Sequence, residues 1–379
     1  MSGRIRLFTP GPVSIPAEVL LEMARPIIHH RTAEFRRIVG SVTEKAQYMF
    51  QTSSTVLTLA ASGTGGMEAA LASSIPAEKK ALVVRGGKFS ERWAQVCQAY
   101  GIETICHDVE WGCGVEPAVI ADYLNHDPDI AAVVITHSET STGAAVDLEQ
   151  IAAIVRETPA LLVVDGITAV GALPFKMDDW GVDIAVVGSQ KACLMPPGLA
   201  FVAVSDKAWK QIDATKPRGL YLDLRRYRKS IADSDTPFTP AIGLILAADK
   251  ALGIIRERGM ETIWRQTALL ARATREAVKA MGLTCFAKSP SDSVTAVNYP
   301  DGVDDAAFRK WLRETFSAWI AGGQAKLKGK IFRISHMGQL DALDAIEIIA
   351  GVELALQACG AAIEPGAGVA AAQKILKDW

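Results

Sequence analysis

The stretch that decides the fold reads Ile184-Ala-Val-Val-Gly-Ser-Gln-Lys191-Ala-Cys-Leu-Met-Pro-Pro-Gly198. Its apolar first residues predict a short strand buried on both faces, and the turn after it presents a lysine at the strand's end. Most lysines lie in solvent, and a surface lysine is the alternative interpretation. A lysine shielded from water has a lowered pKa and is a better nucleophile for bonding to a carbonyl carbon. Lys191 is therefore a candidate nucleophile.

Similar apolar runs recur along the first half of the chain and alternate with amphipathic helical patterns. We predict strands at Val56–Ala60, Ala81–Val84, Ile130–Thr136, Leu161–Asp165 and Leu199–Val204. Continuous Val/Ile/Leu runs between helices are typical of a mostly parallel sheet with helices on both faces. The large part of the chain is therefore predicted to be α/β.

A different pattern begins near Ala241. Two long helical patterns, Ala241–Arg258 and Glu261–Met281, are followed by shorter elements that predict a smaller α+β domain. These elements are strands near Leu283–Ala287, Ser293–Tyr299 and Ile331–Ser335 and helices near Asp304–Thr315 and Leu340–Ala358. The segment after Gly360 is rich in small residues, and its structure is left open.

Composition excludes several classes of function. The 379 residues carry 40 Lys and Arg against 42 Asp and Glu, so the net charge of −2 argues against nucleic acid as a partner. The six cysteines include no Cys-x-x-Cys pair, so we expect reduced thiols and no metal site. The N-terminus lacks the apolar core of a signal peptide, and no apolar stretch is long enough to span a bilayer. We therefore expect a cytoplasmic enzyme with small-molecule substrates.

Three further segments, two at strand ends and one inside a strand, carry candidate site residues. Ser62-Gly-Thr-Gly-Gly66 leads into a helix whose free N–H groups suit an anion, although a plain tight turn is the alternative. Neither the dinucleotide fingerprint nor the P-loop lysine is present there. Asp165 follows an apolar strand and could face a ligand or cap a turn. Arg333 lies inside an apolar strand and requires an anionic partner, either a substrate carboxylate or an internal acid.

Taken together, these residues predict one cofactor. Pyridoxal phosphate requires a lysine that traps its aldehyde, an acid for its pyridinium nitrogen and a cradle for its phosphate. An amino-acid substrate further requires a cation for its α-carboxylate, and Arg333 suits that purpose.

With these residues, the chain resembles a known family, the class V, fold-type-I pyridoxal-phosphate aminotransferases of the alanine/serine–glyoxylate (serine–pyruvate) group. The resemblance spans almost the whole chain in the family's order. The matching stretches are Thr9–Pro12, 61–71 (ASGTGGMEAAL), 86–93 (GGKFSERW), 136–143 (THSETSTG), 163–171 (VVDGITAVG), 177–201, 237–242 (PFTPAI) and 328–338 (KGKIFRISHMG). It implies a mostly parallel seven-stranded sheet flanked by helices, with a smaller α+β C-terminal domain.

The resemblance also implies roles for individual residues. Lys191 would be the Schiff-base lysine, and Asp165 would hold the proton of the pyridinium nitrogen. Arg333 would bind the α-carboxylate of the substrate with the help of Gly11. The remaining cofactor-binding residues implied are Thr64, Gly65, Gly66 and Gln190 at the phosphate, Phe89 and Ile167 on the two ring faces, Thr140 at the ring oxygen or the substrate, and Thr239 reaching the phosphate of a neighbouring subunit.

That last role implies a homodimer with shared active sites. The implied domains are an N-terminal arm at the dimer interface (1–16), a large cofactor domain (17–250) and a small C-terminal domain (251–379).

The implied activity is transamination of serine or alanine with glyoxylate or pyruvate by a ping-pong mechanism. An alternative is a dicarboxylic donor such as aspartate, which would need a second cation from His29-His30-Arg31, Arg85 or Lys88. A cysteine desulfurase would need a cysteine in Thr315–Lys330, and none is present there. A non-catalytic protein that kept the fold is the alternative of a different class.

Overall fold

The strands come from every part of the chain. A computed structural model describes residues 5–379, and the strands are numbered in chain order. They are β1 (Arg6–Leu7), β2 (Thr55–Leu59), β3 (Lys80–Arg85), β4 (Glu103–Asp108), β5 (Ile130–Thr136), β6 (Ser138–Glu139), β7 (Ala144–Ala145), β8 (Leu161–Asp165), β9 (Ile184–Gly188), β10 (Ala200–Val204), β11 (Val294–Asn298), β12 (Ala318–Trp319), β13 (Ala321–Gly322) and β14 (Ile331–Ser335).

The helices fill the intervals between the strands and the C-terminal tail. They are α1 (Ala17–Met23), α2 (Ala33–Phe50), α3 (Gly63–Ser74), α4 (Ser90–Ala99), α5 (Pro117–His126), α6 (Leu148–Arg156), α7 (Met177–Trp180), α8 (Asp206–Ala214), α9 (Leu224–Ile231), α10 (Ile242–Arg258), α11 (Met260–Ala280), α12 (Asp305–Phe316), α13 (Ala342–Ala358) and α14 (Ala367–Leu376), with a 3-10 turn at Ala325–Leu327.

A seven-stranded sheet lies at the centre of the described residues, in the order β2-β10-β9-β8-β5-β3-β4. The strands from β9 to β4 run parallel, and β10 runs antiparallel to both of its neighbours. The strands β5, β8, β9 and β10 are buried along their whole length, which explains their continuous apolar sequence. The predicted mostly parallel α/β sheet flanked by helices is confirmed.

The sequence patterns missed one strand and predicted another that is not regular. The missed strand is β4 (Glu103–Asp108), which lies at the edge of the sheet with both end residues exposed. A half-exposed edge strand does not need a continuous apolar run. Conversely, Leu283–Ala287 is not a regular strand, because only Cys285 bridges to Val297 there. An isolated bridge lacks the successive hydrogen bonds that a ladder requires.

The central sheet is covered by apolar side chains on both faces. One face packs against α2, α6 and α10 and the other against α3, α4 and α8. The smaller sheet, β11-β14-β13, is antiparallel and packs with α11, α12, α13 and α14 in a separate apolar cluster. The tail that the sequence left open forms α14, whose first turn donates to the buried carboxylate of Glu353.

The N-terminal segment joins the small sheet region to the large one. The strand β1 pairs with β12, and Phe8 is buried among the C-terminal helices of the same chain. Farther along, the N–H of Val13 donates to the carbonyl of Gln190 at 3.3 Å. Residues 1–4 of the predicted arm lie outside the described residues. The role of the arm at a dimer interface and the boundary at residue 250, which lies inside α10, stay predictions.

Within residues 5–379, no helix combines the length and the hydropathy that crossing a bilayer requires. The cellular compartment stays a prediction.

Candidate active site

A cavity of about 200 Å³ lies at the carboxyl edge of the central sheet. The ends of β5, β8 and β9 meet the first turns of α3 and α4 around it, as expected for parallel strands followed by helices. The residues that line it are Ser62, Gly63, Thr64, Phe89, Arg92, Ser138, Thr140, Asp165, Ile167, Thr168, Gln190 and Lys191. The structure therefore brings together seven of the site residues that the sequence predicted.

Lys191 lies in the turn after β9 and is 9% exposed. Its ammonium donates to the carbonyl of Pro10 in the N-terminal segment. Burial is the main cause that lowers the pKa of Lys191 to about 8; the charge of Asp165 opposes it, and the positive charges of Arg333 and Arg92 act in the same direction as burial. An amine with this pKa is partly neutral near neutral pH, which is the state a nucleophile or base requires.

Gly11 lies directly over Lys191. A Cβ atom at Gly11 would overlap the side chain of Lys191, and the φ of +110° is one that other residues rarely adopt. The close approach and the backbone conformation therefore both require glycine, and they place the N-terminal segment as a cover over the lysine.

Asp165 is the last residue of β8 and is 4% exposed. Burial raises the pKa of its carboxyl to about 7, and the charge of Glu139 adds to the effect. The N–H of Ile167 donates to Asp165 Oδ1 at 2.9 Å, which lowers the pKa in part. The carboxyl therefore shares its proton readily near neutral pH, and Ile167 follows it on the cavity wall.

The first turn of α3 is open toward the cavity. The side chain of Ser62, which precedes the helix, makes no capping hydrogen bond, and Ser62, Gly63 and Thr64 line the cavity. The N–H groups of a first helical turn have no partner inside the helix, so they suit an anion such as a phosphate.

Gly65 and Gly66 do not line this cavity. The N–H of Gly66 donates to the carbonyl of Ser62 at 3.2 Å, and a Cβ there would meet Val186 of β9 at 2.7 Å. Gly66 therefore lets α3 pack closely on the sheet, and its predicted contact with the cofactor phosphate stays a prediction. Gly65 stays a predicted donor in the first turn of the helix.

Sequence reasoning missed Arg92, which lines the cavity from α4. Its Nη1 donates to Thr64 Oγ1 at 3.2 Å, and its guanidinium lies 5.4 Å from the ring centroid of Phe89. The pair Phe89 and Arg92 lies in the quoted 86–93 motif at the spacing of one helical turn, a signal that could have identified the arginine.

Buried polar atoms in the cavity wall agree with the chemistry of pyridoxal phosphate. In the described part of the chain, Thr140 Oγ1 and Gln190 Oε1 are buried without a hydrogen-bond partner. Buried polar atoms need partners, which a bound polar group would provide. The lysine, the carboxyl, the open helix turn and the ring of Phe89 match the aldehyde, the ring nitrogen, the phosphate and the aromatic face of this cofactor. The residues present therefore fit the group.

Arg333 lies in the middle of β14 and is 4% exposed. Its Nη1 donates to the carbonyl of Thr140 at 2.7 Å, and its Nε and Nη2 donate to the carbonyl of Gly322 at 3.0 and 2.7 Å. Burial lowers the pKa of Arg333 to about 10, against the opposing charge of Glu139. The guanidinium therefore lies behind Thr140, beside the cavity, with its orientation set by two carbonyl groups.

Thr239 lies apart from the cavity of its own chain. It lines a small cleft with Tyr221 and Phe238, whose rings stack with centroids 5.0 Å apart. Its predicted contact with a phosphate in a neighbouring subunit stays a prediction.

The cations considered for a second substrate carboxylate are held elsewhere. Arg31 pairs with Asp235 at 2.6 Å, Arg85 with Asp108 at 2.7 Å and Lys88 with Glu91 at 3.2 Å. None of these three cations is among the residues that line the described cavity.

Comparison with known proteins identifies the family. The model of the class-V aminotransferases matches residues 17–336. Three relatives cover nearly the whole chain and nearly their own full length. They are the small subunit of a soluble hydrogenase of Synechococcus sp. (41% identical, 99% of each chain), the serine–glyoxylate aminotransferase of Methylorubrum extorquens (36%, 99% and 97%) and the L-aspartate–glyoxylate aminotransferase of Paracoccus denitrificans (35%, 99% and 96%).

Among solved structures, the ureidoglycine–glyoxylate aminotransferase of Bacillus subtilis is similar with a TM-score of 0.94. It is 28% identical, and the match covers 100% of this chain and 99% of that one. The fold, the cavity and the family match agree with one another. The chain belongs to the class-V aminotransferases and is a pyridoxal-phosphate-dependent enzyme of fold type I.

Proposed function

We propose that this enzyme transfers the amino group of serine or alanine to glyoxylate or pyruvate in two half-reactions, with glycine as the product from glyoxylate. The observation that carries the proposal is the combination, around one cavity, of a buried lysine with a lowered pKa, a buried carboxyl and an arginine that lies just behind the wall. The glyoxylate aminotransferases among the relatives support the choice of acceptor.

When bound, pyridoxal phosphate carries the amino group between the two substrates and takes up the electron pair left on the donor's Cα. Lys191 would hold the cofactor through its buried amine. Once a donor amine had taken its place, the free amine of Lys191 would serve as the base and acid for the proton of the donor's Cα. Its lowered pKa suits it to both steps near neutral pH.

Asp165 holds the proton of the cofactor's ring nitrogen. Its raised pKa keeps a proton within the carboxyl–ring pair near neutral pH, and burial excludes water that would compete for it. Thr64 and the first turn of α3 bind the phosphate, Arg92 adds a positive charge at the same end, and Phe89 stacks on the ring.

Arg333 binds the α-carboxylate of the donor and the acceptor. Its three hydrogen bonds to Thr140 and Gly322 orient the guanidinium, so little of its side-chain entropy is left to lose on binding. Gly11 and Pro10 cover Lys191 and limit the volume left for a donor side chain.

The engaged state of the other cations favours a donor with one carboxylate. Arg31, Arg85 and Lys88 each have an acidic partner and lie outside the lining of the described cavity, so a second carboxylate bound in the cavity would not have one of them as its partner. Aspartate is the second candidate donor, and the relative from Paracoccus denitrificans favours it.

We further propose a homodimer in which Thr239 reaches the phosphate bound by the partner subunit. Leu220 and Tyr221 are 60% and 43% exposed, and the ring of Tyr221 stacks on Phe238 beside Thr239. Exposed apolar side chains next to a residue with an implied binding role suit a subunit interface.

The test is a titration of the purified holoenzyme with one amino acid at a time, without an acceptor, read from the absorbance of the bound cofactor. Serine or alanine should bleach the band of the aldehyde form, and glyoxylate should restore it. The matched control is Lys191→Ala. In this variant both the bleaching and the recovery of the band should be slower than in the wild type by about 100-fold or more. Bleaching by aspartate alone would replace the proposed donor.

A protein that neither binds the cofactor nor changes colour would contradict the proposal. It would favour the alternative of a non-catalytic protein that kept the fold.

A further inference from the structure

Glu139, in the quoted 136–143 motif, has had no role assigned so far. It ends the short strand β6 and is 5% exposed. Its Oε2 accepts from the N–H of Phe89 at 3.1 Å and from the N–H of Ser90 at 2.8 Å. Its Oε1 accepts from the N–H of Ser141 at 3.2 Å and from the hydroxyl of Ser141 at 2.5 Å. The carboxylate therefore occupies the N-terminus of α4, where the helix dipole favours a negative charge.

The chain leading into α4 is shaped around this carboxylate. A Cβ at Gly87 would overlap the side chain of Glu139, so glycine is required there for space. The hydroxyl of Ser141 also accepts from the N–H of Lys88 at 2.9 Å. The N–H groups of residues 88–90 therefore all donate to side chains of the segment after β5.

The same segment leads to the substrate anchor. Thr140 follows Glu139, and its carbonyl accepts from Arg333 Nη1 at 2.7 Å. Glu139 binds Ser141 on one side of Thr140, and β6 lies on the other side. The carbonyl of Thr140 is therefore fixed in position. One buried side chain thus lies between the ring-stacking residue and the residue that orients Arg333.

We propose that Glu139 is a positioning residue that holds Phe89 against the cofactor ring and, through Thr140, holds Arg333 in place for the substrate carboxylate. The inference rests on the roles proposed above for Phe89 and Arg333. A buried hydrogen-bond acceptor that is lost leaves its donors unsatisfied, and small displacements of a stacking group reduce binding.

The chain offers a matched control in Glu353. This residue is 4% exposed, and its carboxylate accepts from the N–H groups of Gly366, Gly368 and Val369 at the start of α14. It makes the same kind of contact as Glu139, but in the C-terminal cluster and apart from the residues that line the cavity. A purely structural role predicts that both glutamates behave alike.

The experiment compares Glu139→Gln with Glu353→Gln in the holoenzyme. Equilibrium dialysis gives the Kd of the cofactor, steady-state kinetics give the donor KM, and thermal unfolding gives Tm. Both variants should lower Tm, because each leaves backbone N–H groups without a full acceptor. Only Glu139→Gln should raise the cofactor Kd, by about tenfold, and raise the donor KM.

A double-mutant cycle with Phe89→Leu tests whether Glu139 acts through Phe89. The rise in cofactor Kd from Glu139→Gln should largely disappear in the Phe89→Leu background, because interacting groups are not additive. Glu139→Asp keeps the charge and shortens the reach, and it should show the same non-additivity with a smaller rise. It therefore gives the answer even where the Gln variant does not fold.

Three outcomes would overturn the inference. In the first, the Glu139 variants lower Tm as Glu353→Gln does while the cofactor Kd stays within twofold of the wild type. In the second, the effects of Glu139 and Phe89 simply add. In the third, Phe89→Leu itself leaves the cofactor Kd unchanged, so that the proposed stacking role fails and the inference fails with it. The first outcome, with an effective Phe89→Leu, leaves the proposed function intact.

Discussion

Two helices, α3 and α4, begin beside the same cavity, and they differ in whether a side chain caps the N-terminus. The first turn of α3 faces the cavity with no side-chain cap at Ser62. The first turn of α4 is filled by the carboxylate of Glu139, which is supplied by a strand far away in sequence. Both N-termini carry the partial positive charge of a helix dipole, so both attract an anion.

The difference shows that a helix N-terminus can either be left open as an anion site, as at α3, or be filled by a side chain of the protein, as at α4. At α4 the protein provides its own anion, and the carboxylate of Glu139 accepts a hydrogen bond from the N–H of Phe89, whose side chain lines the cavity. At α3, where we propose that the phosphate binds, the first turn has no side-chain cap, and Arg92 on α4 donates to Thr64 Oγ1 at 3.2 Å. The capped helix α4 thereby places the positive charge of Arg92 beside the uncapped N-terminus of α3.

The largest effect should come from removing the room for the anion at α4. We expect Gly87→Ala to destabilise the protein by about 3 kcal/mol and to weaken cofactor binding, because the new Cβ and Glu139 cannot occupy the same space. Urea unfolding and dialysis of the cofactor measure the two effects. The control is Gly219→Ala, where a Cβ meets nothing within 4 Å. Equal unfolding free energies for the two variants would contradict the tight fit at Gly87.

An intermediate effect should follow from making α3 resemble α4. Ser62→Asp places a carboxylate at the open N-cap, so we expect the apoprotein to gain about 0.5–1 kcal/mol and the cofactor Kd to rise by about 100-fold. Ser62→Asn caps the helix without a charge and should leave the Kd much closer to the wild-type value. Cofactor binding that Ser62→Asp leaves unchanged would place the phosphate away from α3.

The smallest effect should come from the link between the two helices. Arg92→Gln removes the positive charge beside Thr64, and we expect the cofactor Kd to rise by about tenfold with a smaller change in Tm. The control is Arg85→Gln, whose guanidinium pairs with Asp108 away from the cavity lining. If both variants bound the cofactor equally well, Arg92 would be a structural residue of α4.

The local sequence was enough to predict much of the framework. The predictions at Ile130–Thr136 and Ile331–Ser335 match β5 and β14, and the helical pattern at Ala241–Arg258 matches α10 (Ile242–Arg258). These segments have continuous apolar runs or strong helical spacing, because their burial requires apolar residues at regular positions. Two elements lack such a pattern: the edge strand β4 is half-exposed, and the tail helix α14 is rich in small residues.

The site divides in a similar way between sequence and tertiary structure. Lys191, Asp165 and Arg333 could be identified from the sequence, since each is a charged residue in or directly after an apolar strand, a placement that surface residues rarely have. The tertiary structure decided their surroundings: Gly11 over the lysine, Arg92 beside Thr64 and Glu139 at the start of α4. These contacts join residues about 30 to 180 positions apart. Local residue patterns record which side chains are buried, but a three-dimensional packing alone fixes which distant side chains meet.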